Sequence, residues 1–214
     1  MKVIDLGVTD FLETYEFQLN LVKEVASGER EDTLLLTEHK PVITIGRKGS
    51  EKNILRTREF LSSQGINIVN ADRGGDVTYH GPGQIIAYPV FRLQSEGRDI
   101  HKFLHFLEEA GAYFLMQYGL IARERPGLRG LWIEDRKIGS IGIGVRKWVT
   151  YHGLAINIDL DLTPFSFIRP CGLRNDSTSL KKEISHGVDI FDAKDKLAQA
   201  FKEISLLAET ASSS

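Results

Sequence analysis

Alternating apolar positions open the chain: Val3, Ile4, Leu6 and Val8 predict a first strand. Asp10 and Glu13 form a capping-box pair, and Leu12, Tyr15, Leu19, Val22 and Ala26 follow at helical spacing. This predicts a helix that stops near Gly28. Short apolar runs at 33–37 and 42–45 predict two strands joined by a turn at His39-Lys40-Pro41. A short helix is expected over 58–63 and a strand over 66–69. The continuous run Ile85-Ile86-Ala87-Tyr88-Pro89-Val90 predicts a buried strand. Asp99 is placed to cap a second long helix, with stripe Ile100, Phe103, Leu107, Ala110 and Phe114 and Gly119 as its stop. The pattern then turns to β, with strands expected at 131–134, 138–145, 148–151 and 154–158 and a turn at Asp135-Arg136. A final helix is expected over 192–207, and residues 211–214 read as a disordered tail. Strands and helices mix without strict strand–helix–strand alternation. The expected class is therefore α+β, a single domain over residues 1–210 with a mixed β-sheet flanked by helices.

Composition narrows the function classes. The chain has 214 residues, enough for one well-packed domain, with 42% apolar and 26% charged residues. A net charge of −2 supplies no global attraction for nucleic acid or an anionic membrane. No apolar run approaches the roughly 18 residues of a membrane span. Asp5 interrupts the N-terminal apolar segment, against a secretory signal. The single cysteine permits no internal disulfide, and a cytoplasmic location is expected.

Residues 73–84, Arg-Gly-Gly-Asp-Val-Thr-Tyr-His-Gly-Pro-Gly-Gln, are the least ordinary stretch. Glycine lets backbone approach a ligand closely, while Arg73, Asp76, Thr78, Tyr79, His80 and Gln84 can orient it. A turn-rich surface loop would give no reason for these side chains to crowd before a buried strand, so a binding loop is expected. Cys171 lies between Pro170 and Gly172, with Arg169 two residues before it. A free thiol has a pKa of about 8.5, so a nucleophile at neutral pH needs a cation or base beside it. Lys137, His80 and His152 are the candidates, although composition alone reads Lys137 as a solvated hairpin lysine. Lys137 enters the glycine-rich strand 138–144, and glycine within a strand often marks close approach of a ligand. His101 and His105 stand one helical turn apart but lack the other ligands of a zinc site, so no metal is expected. Lys181-Lys182-Glu183 reads as solvated surface.

Together these segments resemble the lipoyl(octanoyl) transferase family. Arg73 through Gln84, with Tyr88, matches the family's loop; Arg136-Lys137-Ile138-Gly139-Ser140-Ile141-Gly142 carries its lysine. Tyr151 through Asn157 is a third match, and Leu162-Thr163-Pro164-Phe165 with Pro170-Cys171-Gly172 carries the nucleophile. Ser177-Thr178-Ser179-Leu180 matches the segment after it. The resemblance spans most of residues 38–180 in order.

It implies a fold shared with biotin and lipoate protein ligases, and an acyltransferase with no cofactor. The donor would be octanoyl-acyl carrier protein. The acceptors would be lysines on the lipoyl domains of 2-oxoacid dehydrogenase E2 subunits and on the glycine cleavage H protein. Cys171 would carry the acyl thioester and Lys137 would depress its pKa and move protons. Arg73, Gly74, Gly75, Asp76, Val77, Thr78, Tyr79, His80, Ser140, Ile141, Gly142, Gly153, Leu154 and Ala155 would line the acyl site. Arg47, Lys48, Arg146 and Lys147 are candidates for docking an acidic carrier. The alternatives are an ATP-dependent lipoate or biotin ligase of the same fold and a non-catalytic carrier-binding module.

Overall fold

The computed structural model of the protein describes residues 1–93, 99–125, 127–169, 176–184 and 186–212. Its strands, in chain order, are β1 (Lys2–Thr9), β2 (Thr33–His39), β3 (Val42–Ile45), β4 (Asn67–Asn70), β5 (Val77–His80), β6 (Gln84–Val90), β7 (Arg123–Arg125), β8 (Leu128–Ile133), β9 (Arg136–Arg146) and β10 (Val149–Asn157). The helices are α1 (Phe11–Ser27), α2 (Arg58–Ser63), α3 (Ile100–Met116), α4 (Leu180–Ile184) and α5 (Ile190–Ser212). Seven strands form one sheet in the order β1-β2-β6-β10-β9-β8-β7, and three form a second, β4-β3-β5. The pairs β1–β2 and β3–β4 are parallel and the rest antiparallel, so both sheets are mixed.

Alternation along the central strands divides the core. Leu34, Leu36, Ile85, Ala87, Leu154 and Ile156 face α3 and α5, where they meet Leu107, Phe114, Leu197 and Phe201. Leu35, Ile86, Tyr88, Tyr151 and Ala155 face α1 and pack on Leu21, Val22 and Val25. Covered on both faces, β2 and β6 are buried at every position, which is why Ile85–Val90 of β6 reads as a continuous apolar run. The small sheet closes on a third cluster with the 3-10 turn Thr163–Phe167, built from Ile43, Ile45, Val77, Tyr79, Phe165 and Phe167.

Asp10 caps α1 by accepting from the Leu12 and Glu13 amides, and Asp99 caps α3 in the same way. The buried face of α1 differs from the apolar stripe. Leu12 is 51% exposed, whereas Thr14 and Gln18 are buried beside Phe11, Leu21, Val22 and Val25. Those two polar residues hydrogen-bond inward, to Thr9 and to the His152 amide, so hydrophobicity alone could not locate the face. Three further differences concern strands. Strands β2 and β3 enter different sheets. Residues 77–80 are strand β5 rather than loop. The expected strands 148–151 and 154–158 are one strand, β10, which runs through His152 at φ 56°. Strand β7 and helix α4 had no clear signal. Helix α5 is described to Ser212, into the segment expected as a tail. No helix among the described residues is long and apolar enough to cross a membrane.

Candidate functional site

The glycine loop is laid across strand β9 by backbone bonds. The Gly74 amide donates to the Ile143 carbonyl at 2.8 Å, while the Arg47 and Lys48 amides donate to Arg73 and Gly75 carbonyls at 3.0 and 3.1 Å. A Cβ on Gly142 would lie 2.7 Å from the Gly74 carbonyl oxygen, so the crossing needs glycine there. Gly142 pairs with Gly153, Ile141 with Leu154 and Ser140 with Ala155. The two segments expected to line the acyl site are thus direct cross-strand partners under the loop. Leu154 and Ile141 turn their side chains into the α3–α5 core, leaving their backbone on the loop side.

Arg73 is buried and points inward. Its Nε and Nη2 donate to Thr44 Oγ1 at 3.1 and 2.8 Å, Nη2 also to the Thr44 carbonyl, and Nη1 to the Gly74 carbonyl. Burial lowers its pKa, to about 10, which leaves it charged at neutral pH. Thr44 Oγ1 lies 3.4 Å from His80 Nε2. His80 Nδ1 meets Gln84 Oε1 at 2.7 Å, Gln84 donates to Asn157 Oδ1, and Asn157 donates to the Thr178 carbonyl. A single chain of hydrogen bonds therefore runs from the glycine loop to the segment just after the described gap at 170–175. On β5, Thr78 and His80 share the face of Thr44, while Val77 and Tyr79 pack into the small-sheet core, Tyr79 edge-on to Phe165.

Asp72, directly before Arg73, was not singled out from sequence, yet it gathers three donors. Tyr15 and Tyr151 hydroxyls donate to Oδ2 at 2.9 and 2.6 Å, and His152 Nε2 meets Oδ1 at 3.0 Å. Burial alone would raise this carboxyl, but the bonds from His152, Tyr151 and Tyr15 outweigh it and hold it below the usual carboxylate range. The Tyr15 ring stacks on His152 at 5.3 Å. Phe11 touches His39, His80 and His152, and His39 Nε2 meets the Tyr88 hydroxyl at 2.7 Å. Burial lowers all three imidazoles, His39 to about 4. His152 is thereby held neutral and oriented by Asp72. The visible signal for this cluster was adjacency: the polar loop begins one residue earlier than Arg73.

Lys137 lies on β9 and its backbone grips the segment after the cysteine. Its amide donates to the Asp176 carbonyl at 2.8 Å, and its carbonyl accepts from the Thr178 amide at 2.9 Å. Its side chain crosses β8 over Gly130, where a Cβ would lie 2.8 Å from Lys137 Cε, and its Nζ sits 5.4 Å above the Trp132 ring. On the other side of the gap, the Arg169 amide donates to the Asn53 carbonyl at 2.8 Å, and the Asn53 side chain donates to Asp76 Oδ2 at 2.7 Å. Glycine loop, lysine strand and both flanks of the cysteine segment are therefore tied together. Cys171 itself lies outside the described residues. Glu183, expected to be solvated, instead takes Arg136 and Thr178 hydrogen bonds. Arg47, Lys48, Arg146 and Lys147 are exposed. The charge of Arg146 reaches Tyr15 and Tyr151, and that of Arg47 reaches His152. Among the described residues, no group of His, Cys, Asp or Glu side chains could hold a metal ion.

Comparison with known proteins places this geometry in context. The sequence matches the lipoyl protein ligase A/B catalytic domain over residues 10–202. A protein of Geotalea uraniireducens named octanoyltransferase is 44% identical over 203 residues, covering 94% of this chain and 92% of its own. One of the same name from Nitratidesulfovibrio vulgaris is 44% identical and covers 95% of this chain and 94% of its own. Among solved structures, lipoate-protein ligase A bound with ATP superposes with a TM-score of 0.75 at 18% identity, covering 95% of this chain and 84% of that one. The biotin protein ligase of Aquifex aeolicus, in complex with biotin and ATP, gives 0.60 at 12% identity, covering 95% and 69%.

Proposed function

Since the chain belongs to the lipoyl protein ligase A/B catalytic-domain family, beside relatives named octanoyltransferase, we propose that it moves an octanoyl group from acyl carrier protein, through a Cys171 thioester, to a lysine of lipoyl domains. The observation that carries this is the Lys137 backbone clamp on Asp176 and Thr178. It holds the proposed proton-moving lysine against the chain that leaves the proposed nucleophile. Cys171 also stands only two residues beyond Arg169, which is tied through Asn53 to Asp76 of the glycine loop.

In the first half-reaction Lys137, as the free amine, accepts the Cys171 proton, and the thiolate attacks the carbonyl carbon of the donor thioester. Collapse of the tetrahedral intermediate expels the carrier thiol, which takes its proton from the Lys137 ammonium. Thioester exchanges for thioester, so the step is nearly isoenergetic and needs no ATP. In the second half the acceptor amine attacks the carbonyl carbon of the enzyme thioester and the Cys171 thiolate leaves. The surplus amine proton returns to it by way of Lys137, and formation of an amide drives the reaction forward. In this reading the paired segments 140–142 and 153–155 line the acyl chain. The exposed Arg47, Lys48, Arg146 and Lys147 receive the acidic carrier, and the lipoyl domains of E2 subunits and the H protein follow on the same face. The reaction belongs in the cytoplasm.

The test is transfer without ATP. Purified enzyme, octanoyl carrier protein and a lipoyl domain should yield octanoylated domain by intact mass. Acylation that appears only with free octanoate and ATP would assign the chain to the ligases instead.

A further inference from the structure

Lys194 and Glu38 are buried charged residues with no part in the site described above. Two-residue steps along β1 and β2 put Asp5 on the face of Val3, and Glu38 on the face of Leu34 and Leu36, toward α5. There the Lys194 ammonium, on α5 between the core residues Ala193 and Leu197, lies 3.1 Å from Asp5 Oδ1 and 3.3 Å from Glu38 Oε1. The other carboxylate oxygen of Glu38, Oε2, accepts from the Gly83 amide at 2.8 Å. Gly83 closes the turn between β5 and β6 at φ 85°, with no room for a Cβ against the Asp159 carbonyl. Its own carbonyl accepts from the Ile158 and Asp159 amides at 3.0 and 2.9 Å, and within the turn the Gln84 amide donates to the Gly81 carbonyl at 3.2 Å. Helix α5 thus reaches the end of the glycine loop through two side chains, from the opposite side of the large sheet to α1.

Buried ion pairs add little stability over apolar packing of the same volume, and their best-attested use is to fix a register. The register fixed here is that of the turn. His80 enters it and Gln84 leaves it, and their side chains begin the run of hydrogen bonds through Asn157 to Thr178. A carboxylate that accepts from an amide makes a charge-assisted bond, stronger than a neutral one. Aimed by Lys194, that bond sets where the turn stands and, with it, both side chains. We propose that Glu38 and Lys194 are positioning residues for acyl transfer: Glu38 seats the turn at 81–84, Lys194 seats Glu38, and His80 is thereby held in the wall of the acyl site. This rests on the reaction proposed above. Neither residue meets the acyl group, and each acts only through the Gly83 amide.

Glu38→Leu with Lys194→Met replaces the pair by apolar side chains of similar size. The urea midpoint should stay close to that of the wild type, because the half-buried Gly83 amide can turn to water. That amide should lose its protection from hydrogen exchange. Single-turnover acylation by octanoyl carrier protein should slow by about tenfold or more, with the half-saturating carrier concentration unchanged. Glu38→Gln with Lys194→Met restores a neutral oxygen acceptor for Gly83 and should recover most of the rate. An ion pair that served stability alone would give the reverse, a lowered midpoint and a full rate. Full-rate acylation by the folded apolar pair would overturn the inference. If the apolar pair does not fold, the glutamine pair decides: a recovered rate supports the inference, and a slow rate with the Gly83 amide still protected overturns it. A wild-type enzyme that takes no octanoyl group from the carrier would remove the acyl-transfer reading, and this inference with it.

Discussion

Asp72 joins three elements that are far apart in sequence: α1 through Tyr15, β10 through Tyr151 and His152, and the glycine loop through its own backbone. Replacing it with Asn keeps the shape but weakens every bond. With Asp72 partly exposed, the loss should be about 1 kcal/mol. Its folded-state pKa lies below the unfolded value, so the stabilisation is present above about pH 4 and fades as pH falls further. Urea midpoints of the wild type and Asp72→Asn should therefore differ near neutrality and converge in acid. A gap that persists unchanged at low pH would show that the carboxylate's charge is not what matters. Gly142→Ala tests the loop crossing instead. Its new methyl would meet the Gly74 carbonyl at 2.7 Å, and neither group is a flexible side-chain end. Acylation should fall by at least about tenfold while helix content is retained, since a small misplacement of a reactive centre is costly.

At the scale of elements, the packing of α1 through Phe11 against His39 of β2, His80 of β5 and His152 of β10 buries the three as neutral rings. Burial depresses each of them, His39 to about 4. A depressed folded pKa gives stability that is complete above the unfolded value of about 6.5 and is lost as pH drops toward 4. The midpoint of urea unfolding should fall across this window, and His39→Gln should flatten the slope. A profile that is flat from pH 7 to about pH 4.5 would contradict neutral burial. The same packing explains what the sequence disclosed and what it hid. Capped helices announce themselves because Asp10 and Asp99 act within one turn, and β6 does so because it is covered on both sides. The face of α1 was obscured by Thr14 and Gln18, whose burial makes sense only once Thr9 and His152 are in place. Strand β5 was masked by its polar residues, since its partner β3 lies more than thirty residues away in sequence. The glycine loop, Lys137 and the paired 140–142 and 153–155 segments were legible from motif order. Asp72 was not, because its meaning comes from partners that only folding brings near.

For the whole molecule, a net charge of −2 rules out a global field that gathers an acidic carrier. In the proposed reading, attraction comes from the exposed cations Arg47, Lys48, Arg146 and Lys147. Exposed charges are screened over about 8–10 Å at physiological salt. Raising salt should therefore raise KM for octanoyl carrier protein and leave kcat nearly unchanged, and Arg47→Glu with Arg146→Glu should remove most of that salt dependence. Equal salt dependence in the charge-reversed protein would move the docking face elsewhere. The central claim is that the chain carries its acyl group on Cys171 between donor and acceptor. Peptide mass spectrometry on enzyme quenched in acid after mixing with octanoyl carrier protein tests it most directly. One octanoyl group should appear on the peptide containing Cys171, disappear when a lipoyl domain is added, and be absent from Cys171→Ala. An unmodified Cys171 peptide during active transfer to the lipoyl domain would contradict the account.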